Sequence, residues 1–250
     1  MNAAPHAKLP ILIAHRGNAQ EFPENSLPAM SSALSLGVRH LAIDLQLSAD
    51  GVPLVIHDAG LLRTTGIDRS VLDLDATTLT NISVGQPRRF GDVFESAKLP
   101  RLLDVLELLE KYPQVQLVIE LQRASIARFG AEHVVDAALG CCRSYRDRIV
   151  LLSADLPAIH RARVRHGVPI GWRIDTLNTH VQLKMQALAP ERIACDYQTL
   201  PPDRRPPRGT WQWMIYGVET PRELLALAEL SISYAATRAP GKLRSLYRSH

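Results

Sequence analysis

Apolar positions first fall into order at residues 11–14 (ILIA), a short buried strand closed by His15-Arg16-Gly17. After a loop containing Pro23, Asn25-Ser26 supplies N-cap chemistry for a helix that runs to about Leu36 and stops at Gly37. Two apolar-alternating runs then flank Ser48-Ala49-Asp50-Gly51 within residues 41–58, LAIDLQLSADGVPLVIHD, and predict a β-hairpin. A two-residue turn near Ala49-Asp50 or Asp50-Gly51 puts His57 opposite residues 42 to 44, so that Asp44 and His57 meet across the strands. Alternation also puts Ala42 and Asp44 on one face, which then carries one ionisable group where a metal site would use two.

Residues 59–100 lose this rhythm. Short helical pieces alternate with breakers at Gly85-Gln86-Pro87 and Lys98-Leu99-Pro100, as in an insertion rather than a separate domain. From Arg101 the rhythm returns as helix 101–112, strand 116–122, helix 131–145, strand 148–153, helix 156–166, strand 168–173, helix 178–188 and strand 192–197. A proline-rich loop, then strand 211–217, helix 221–230 and strand 231–237 complete the chain. Eight core strands alternating with helices predict one (β/α)₈ barrel across 1–250, with an extra hairpin arm at 53–57 and an insertion at about 58–100. A doubly wound open sheet is the alternative.

Composition narrows this only slightly. The 250 residues, 46% hydrophobic, suit one barrel as well as two small domains. No apolar run is long enough to span a membrane, and the first residues lack a signal-peptide pattern, so a cytoplasmic protein is expected. Cys141, Cys142 and Cys195 have neither zinc nor disulfide spacing and read as reduced thiols. The net charge of +4 is modest, and Arg161, Arg163 and Arg165, like Arg204, Arg205 and Arg208, read as solvated surface. Without interleaved aromatic and basic residues, nucleic acid is not an expected partner.

In a barrel of this kind chemistry gathers at the C-terminal ends of the strands. Those ends carry His15, Arg16, Asp44, Glu120, Gln122, Ser153 and Arg173, and the hairpin arm folds His57 back among them. Two histidines, two carboxylates and an arginine suit phosphoester chemistry. The histidines can act as acid and base, Arg16 can grip phosphate oxygens, and the Gly17 backbone lets substrate approach. Asp44 and Glu120 are hard oxygen ligands suited to Mg²⁺ or Ca²⁺. Gln122 reads as a hydrogen-bonding filler, Ser153 as a partner for backbone groups, and Asp58 as a cap on backbone donors.

Together AHRGN, PENS, IDLQLSADGVPLVIHD, L-x-RTTG at 61–66, LPRLLDVLELL, VIELQ and LLS resemble the glycerophosphodiester phosphodiesterase family. The resemblance implies a TIM barrel that hydrolyses glycerophosphodiesters to glycerol 3-phosphate and an alcohol, usually with a divalent metal. It makes His15 and His57 the catalytic pair, sets Arg16 on a small anionic phosphodiester substrate, and makes Asp44 and Glu120 metal ligands. Four departures stand out. The family's Glu-x-Asp is here Ala42-Ile43-Asp44, and its Glu-x-Lys is Glu120-Leu121-Gln122, so Gln122 occupies a substrate-facing position without the charge. Its Trp-Thr-Val-Asn is Trp213-Met214-Ile215-Tyr216, and its closing Thr-Asp is Thr237-Arg238. Metal affinity should fall. The expected activity is a phosphodiester hydrolase with a weakly held ion. The alternatives are a catalytically impaired phosphodiester-binding homologue, or a metal-independent lyase giving a cyclic phosphate, with Arg173 or the deeper His40 as the substitute cation.

Overall fold

A computed structural model describes residues 8–201 and 205–248; Arg204 lies outside them. Its nine strands are β1 (Ile11–His15), β2 (His40–Leu47), β3 (Pro53–Val55), β4 (Gln116–Leu121), β5 (Ile149–Ser153), β6 (Ile170–Arg173), β7 (Arg192–Asp196), β8 (Gln212–Tyr216) and β9 (Tyr234–Thr237). They follow the order β1-β9-β8-β7-β6-β5-β4-β2-β3, and β1 also pairs with β2. Every neighbouring pair is parallel except β2–β3, so eight strands close into a parallel barrel and β3 is an antiparallel arm outside the ring. This is the TIM barrel, not the open sheet.

Parity sorts the side chains. Ile13, Ala42, Val118, Leu152, Ala194, Met214 and Ala236 point inward and form one apolar cluster, while Leu41, Ile43, Leu45, Leu117 and Ile119 join the helices in a larger outer core. Deleting the contents of either layer removes buried apolar area worth about 25 cal/mol per Å². The inner layer leaves no space at Gly171, where a Cβ would lie 2.6 Å from Leu152 Cδ1.

Helices Leu156–His166, Thr179–Leu188 and Pro221–Glu229 fall within a residue or so of their expected bounds, capped by Asp155, Asn178 and Thr220. The expected helix 131–145 ends at Gly140 and continues as a 3₁₀ segment, and a helix at Arg123–Phe129 follows β4 without a breaker to announce it. The 59–100 segment holds short helices, and its Leu61, Val71, Leu79, Val84 and Leu99 bury against Leu54 and Ile56 of the hairpin arm. The hairpin turn is one residue longer than expected. Ser48 N–H bonds the Val52 carbonyl, and Gly51 takes the left-handed conformation that a three-residue loop requires. Arg161 and Arg163 hold Asp136 and Glu191 in salt bridges rather than standing free in solvent. Burial pushes the Cys142 and Cys195 thiols up to about 12, so neither is a ready nucleophile. Among the described residues no helix is long and apolar enough to cross a membrane.

Candidate active site

Register assembles the site. His15 pairs with Ala42 across β1–β2, and two residues further along β2 Asp44 pairs with Glu120. Inward parity at the same height adds Arg173 from β6, Asp196 from β7 and Tyr216 from β8. A cavity of about 270 Å³ opens there, walled by these residues, Arg16, His57, Glu219 and Arg238. Thus five of the six residues expected from the sequence, His15, Arg16, Asp44, His57 and Glu120, share one cavity.

The loop after β1 is shaped by two left-handed residues, Arg16 (φ 62°) and Asn25 (φ 57°), joined by an Asn25 N–H to Arg16 carbonyl bond of 3.0 Å. Such backbone costs about 1–3 kcal/mol in a non-glycine residue. The conformation aims Asn25 Nδ2 at Asp44 Oδ2, 2.8 Å away, while Ser26 caps the helix Leu27–Ser35. Gly17 does not serve substrate approach. It is buried, and a Cβ there would lie 2.5 Å from the Ala29 carbonyl carbon, so glycine is needed for helix packing.

Every oxygen of the central carboxylates accepts from the protein. Asp44 Oδ1 receives Gln122 Nε2 at 2.9 Å, and Oδ2 receives Asn25 and lies 2.7 Å from Arg16 Nε, an ion pair without hydrogen-bond alignment. Glu120 Oε1 receives Arg173 Nη1 at 2.9 Å and Oε2 receives the Tyr216 hydroxyl at 2.9 Å. Gln122 therefore stands behind Asp44, outside the cavity wall. Burial and the Asp44 charge push the Glu120 carboxyl up, against the pull of Arg173.

The two histidines sit in different surroundings. His15 packs on Tyr216, ring centroids 4.6 Å apart, and its Nε2 is shielded from solvent with no partner among the described residues. Burial, then the charge of Arg16, holds its pKa well below the usual range, so it is neutral near pH 7. His57 is a third exposed, and its Nδ1 lies 2.6 Å from Asp58 Oδ1. Asp58 in turn binds Arg63 Nε, whose two terminal nitrogens grip Glu24, and Glu24 holds Arg16 Nη1 at 2.8 Å.

Two expectations are corrected here. Among the described residues Asp58 caps no backbone donor but faces His57 and Arg63, because the chain leaves β3 at Val55 and turns the Asp58 side chain back across the imidazole. Asp44 and His57 share the cavity but do not bond across the hairpin, because His57 Nδ1 lies against Asp58 and Asp44 is filled by Asn25, Gln122 and Arg16. Ser153 bonds the Leu121 carbonyl and Asp155 N–H, as expected. The site roles of Asn25, Asp58, Arg63, Glu24, Asp196, Tyr216, Glu219 and Arg238 were missed. Tyr216 and Asp196 left a usable signal: each lies two residues beyond an inward residue, Met214 or Ala194, and must also face inward.

One imidazole and two carboxylates, those of His15, Asp44 and Glu120, offer ligand atoms within 4.8 Å of one another. A sequence profile described as the glycerophosphoryl diester phosphodiesterase family matches residues 15–166. The chain belongs to this family. A glycerophosphodiester phosphodiesterase of Caldanaerobacter subterraneus is 35% identical over 99 residues, 40% of each chain, and the uncharacterized protein YqiK of Bacillus subtilis is 33% identical over 142 residues, 56% of each. The matches thus span about half the length of these curated relatives, or less. Among solved structures, an Oleispira antarctica phosphodiesterase in complex with the product sn-glycerol-3-phosphate superposes with a TM-score of 0.84 at 21% identity, covering 96% of this chain and 97% of that one. A putative glycerophosphoryl diester phosphodiesterase from Silicibacter pomeroyi gives 0.84 at 22% identity, over 98% and 95%. These structural likenesses concern the family's barrel, which is the fold described above.

Proposed function

We propose that the chain hydrolyses a glycerophosphodiester to glycerol 3-phosphate and an alcohol, with His15 and His57 as the acid–base pair. The observation that carries this reading is that the two imidazoles, one at the end of β1 and one beyond the hairpin arm, wall a single cavity together with Arg16, Arg173 and Arg238. Hydrolysis needs one group to take the proton of the attacking oxygen and another to protonate the leaving oxygen as its bond to phosphorus breaks. His15, kept neutral, suits the first task. His57 suits the second, because the Asp58 carboxylate fixes the Nδ1 tautomer and leaves Nε2 to carry the transferred proton. The three guanidiniums face the non-bridging oxygens, where charge accumulates.

The cavity wall carries Asp44, Glu120, Asp196 and Glu219 against those three guanidiniums, so an anionic ester entering it calls for further positive charge. Asp44 and Glu120 have the chemistry to hold Mg²⁺ or Ca²⁺. When bound, such an ion supplies Lewis-acid polarisation of a phosphoryl oxygen. The hold is weak for two reasons. Ala42 offers no ligand, and an ion must compete with Arg173 and Tyr216 at Glu120 and with Gln122 and Asn25 at Asp44. Drawing His15 in as a third ligand would cost the site its base.

The test is turnover of glycerophosphodiesters with Mg²⁺, Mn²⁺ or Ca²⁺. Release of glycerol 3-phosphate that is lost in His15→Ala and His57→Ala supports the reading; equal rates in all three proteins reject it. The double change Ala42→Glu with Gln122→Lys should lower the metal concentration needed. The Arg173–Glu120 bond favours a second reading, metal-independent transfer to an internal hydroxyl, in which phosphorus NMR would show a cyclic phosphate.

A further inference from the structure

A second cavity, of about 430 Å³, adjoins the first and shares Glu219 and Arg238 with it. Its wall adds Glu24, Arg63 and Arg89, giving three guanidiniums against two carboxylates. Two of the guanidiniums are already matched. Arg63 grips Glu24 and Asp58, and Arg238 Nε lies 3.3 Å from Glu219 Oε1.

Arg89 is different. Its Nη1 donates to Gln86 Oε1 at 2.7 Å, and its Nη2 to the carbonyls of Ala19 and Gln20 at 3.0 and 3.2 Å. Its Cζ stacks 4.5 Å from the centre of the Phe90 ring. All of these partners are neutral, so the guanidinium is fixed in direction while its charge stays unbalanced. The clamp is itself costly. Gln86 is buried in a left-handed conformation (φ 53°), and its Nε2 has no partner among the described residues.

We propose that this second cavity receives the alcohol moiety of the diester and selects an alcohol that carries its own anionic group, paired by Arg89. The inference rests on the reading of the first cavity as a phosphodiester site. A phosphorus centre between His15 and His57 bears two ester arms, and the shared Glu219–Arg238 wall leads one arm to Arg89. A cationic alcohol would find Glu24 and Glu219 already neutralised and Arg89 repelling it. Arg89 is exposed, so the preference is moderate and weakens with salt.

Calorimetry on the His57→Ala protein, in which turnover is about 10³-fold slower, tests this with glycerophosphoinositol and its 4-phosphate. The phosphorylated ligand should bind about tenfold tighter at low salt. Arg89→Gln should abolish that advantage and leave the affinity for glycerophosphoinositol unchanged. Equal binding of the two ligands, or an advantage that survives Arg89→Gln, overturns the subsite alone. Binding of neither ligand overturns the subsite and the phosphodiester reading together.

Discussion

The two ends of the barrel hold similar residues in different surroundings. At the C-terminal end His15 leans on Tyr216 and an arginine, Arg173, faces inward; at the N-terminal end His40 leans on Tyr234, ring centroids 5.7 Å apart, and Arg192 faces inward. The partners separate them. Arg173 binds a carboxylate, whereas Arg192, only 4% exposed, binds the Gln116 amide oxygen at 3.1 Å and lies 4.3 Å above the Tyr234 ring. Burial pushes the Arg192 guanidinium down, while the Glu120 charge helps to hold Arg173 up. A histidine, a tyrosine and an arginine therefore do not make a site. The C-terminal set meets carboxylates in a polar cavity, whereas the groove beside His40 is lined mainly by apolar side chains such as Ile11, Leu12, Leu36 and Val38.

The largest effect should come from the imidazoles. His15→Ala and His57→Ala should each lower turnover by about 10³-fold, within the range for removed acid–base groups. His40→Gln, the matching change at the other end, should leave turnover within about twofold, well below any acid–base contribution. Steady-state rates on one glycerophosphodiester decide it, and a His40→Gln loss as large as that of His15→Ala would erase the distinction between the ends. Next comes Asp58→Asn, which keeps the shape but no longer selects the His57 tautomer. Turnover should drop on the order of 10²-fold with KM little changed.

How much of this contrast could be read from the chain depends on the kind of link. Strand parity is a strict period of two, so Ala42 and Asp44 sharing a face, and His40 lying deeper on it, follow from position alone. Strand ends were legible because Ile13, Ile119 and Leu152 lie in apolar runs that stop at His15, Glu120 and Ser153. Asn25 was not, because its role depends on a left-handed backbone that no glycine marks. The Asp58–Arg63–Glu24–Arg16 chain was not, because it joins the loop after β1 to the segment after β3, which only the folded barrel brings together. The loss of the family's Glu at Ala42 and Lys at Gln122 was visible, but not its consequence, which is an amide in Gln122 bonded to Asp44.

The histidine of the N-terminal end should instead be read out in stability. Burial, helped by the Arg192 charge, lowers the His40 pKa to about 4. Between pH 6.5 and 4 the unfolded chain therefore binds the proton that folded His40 refuses, and stability falls as the pH falls. After allowing for its partial exposure, the loss is about 2 kcal/mol. Urea unfolding of wild type and His40→Gln at pH 7 and pH 4.5 isolates it, since His15 and the carboxylates contribute equally to both proteins. A pH slope unchanged in His40→Gln would mean that the floor of the barrel is better solvated than its packing indicates.

The smallest effect compares the two tyrosines. Tyr216 donates to the buried Glu120 carboxylate at 2.9 Å, whereas Tyr234 makes a 3.3 Å contact with the Gln212 amide oxygen. A hydrogen bond to a charged group is worth about 1.5–3 kcal/mol, and one between neutral groups about 1 or less. Tyr216→Phe leaves Glu120 Oε2 short of a donor in a buried position and removes one of the two groups that fix the carboxylate. It should cost about tenfold in turnover and shift the metal dependence, because an oxygen freed from its donor becomes available to an ion. Tyr234→Phe should change stability by less than about 1 kcal/mol and leave the metal dependence where it was. If both substitutions moved metal dependence alike, the carboxylate pair would not be what distinguishes the two ends, and the competition between protein donors and a divalent ion at Glu120 would have to be abandoned.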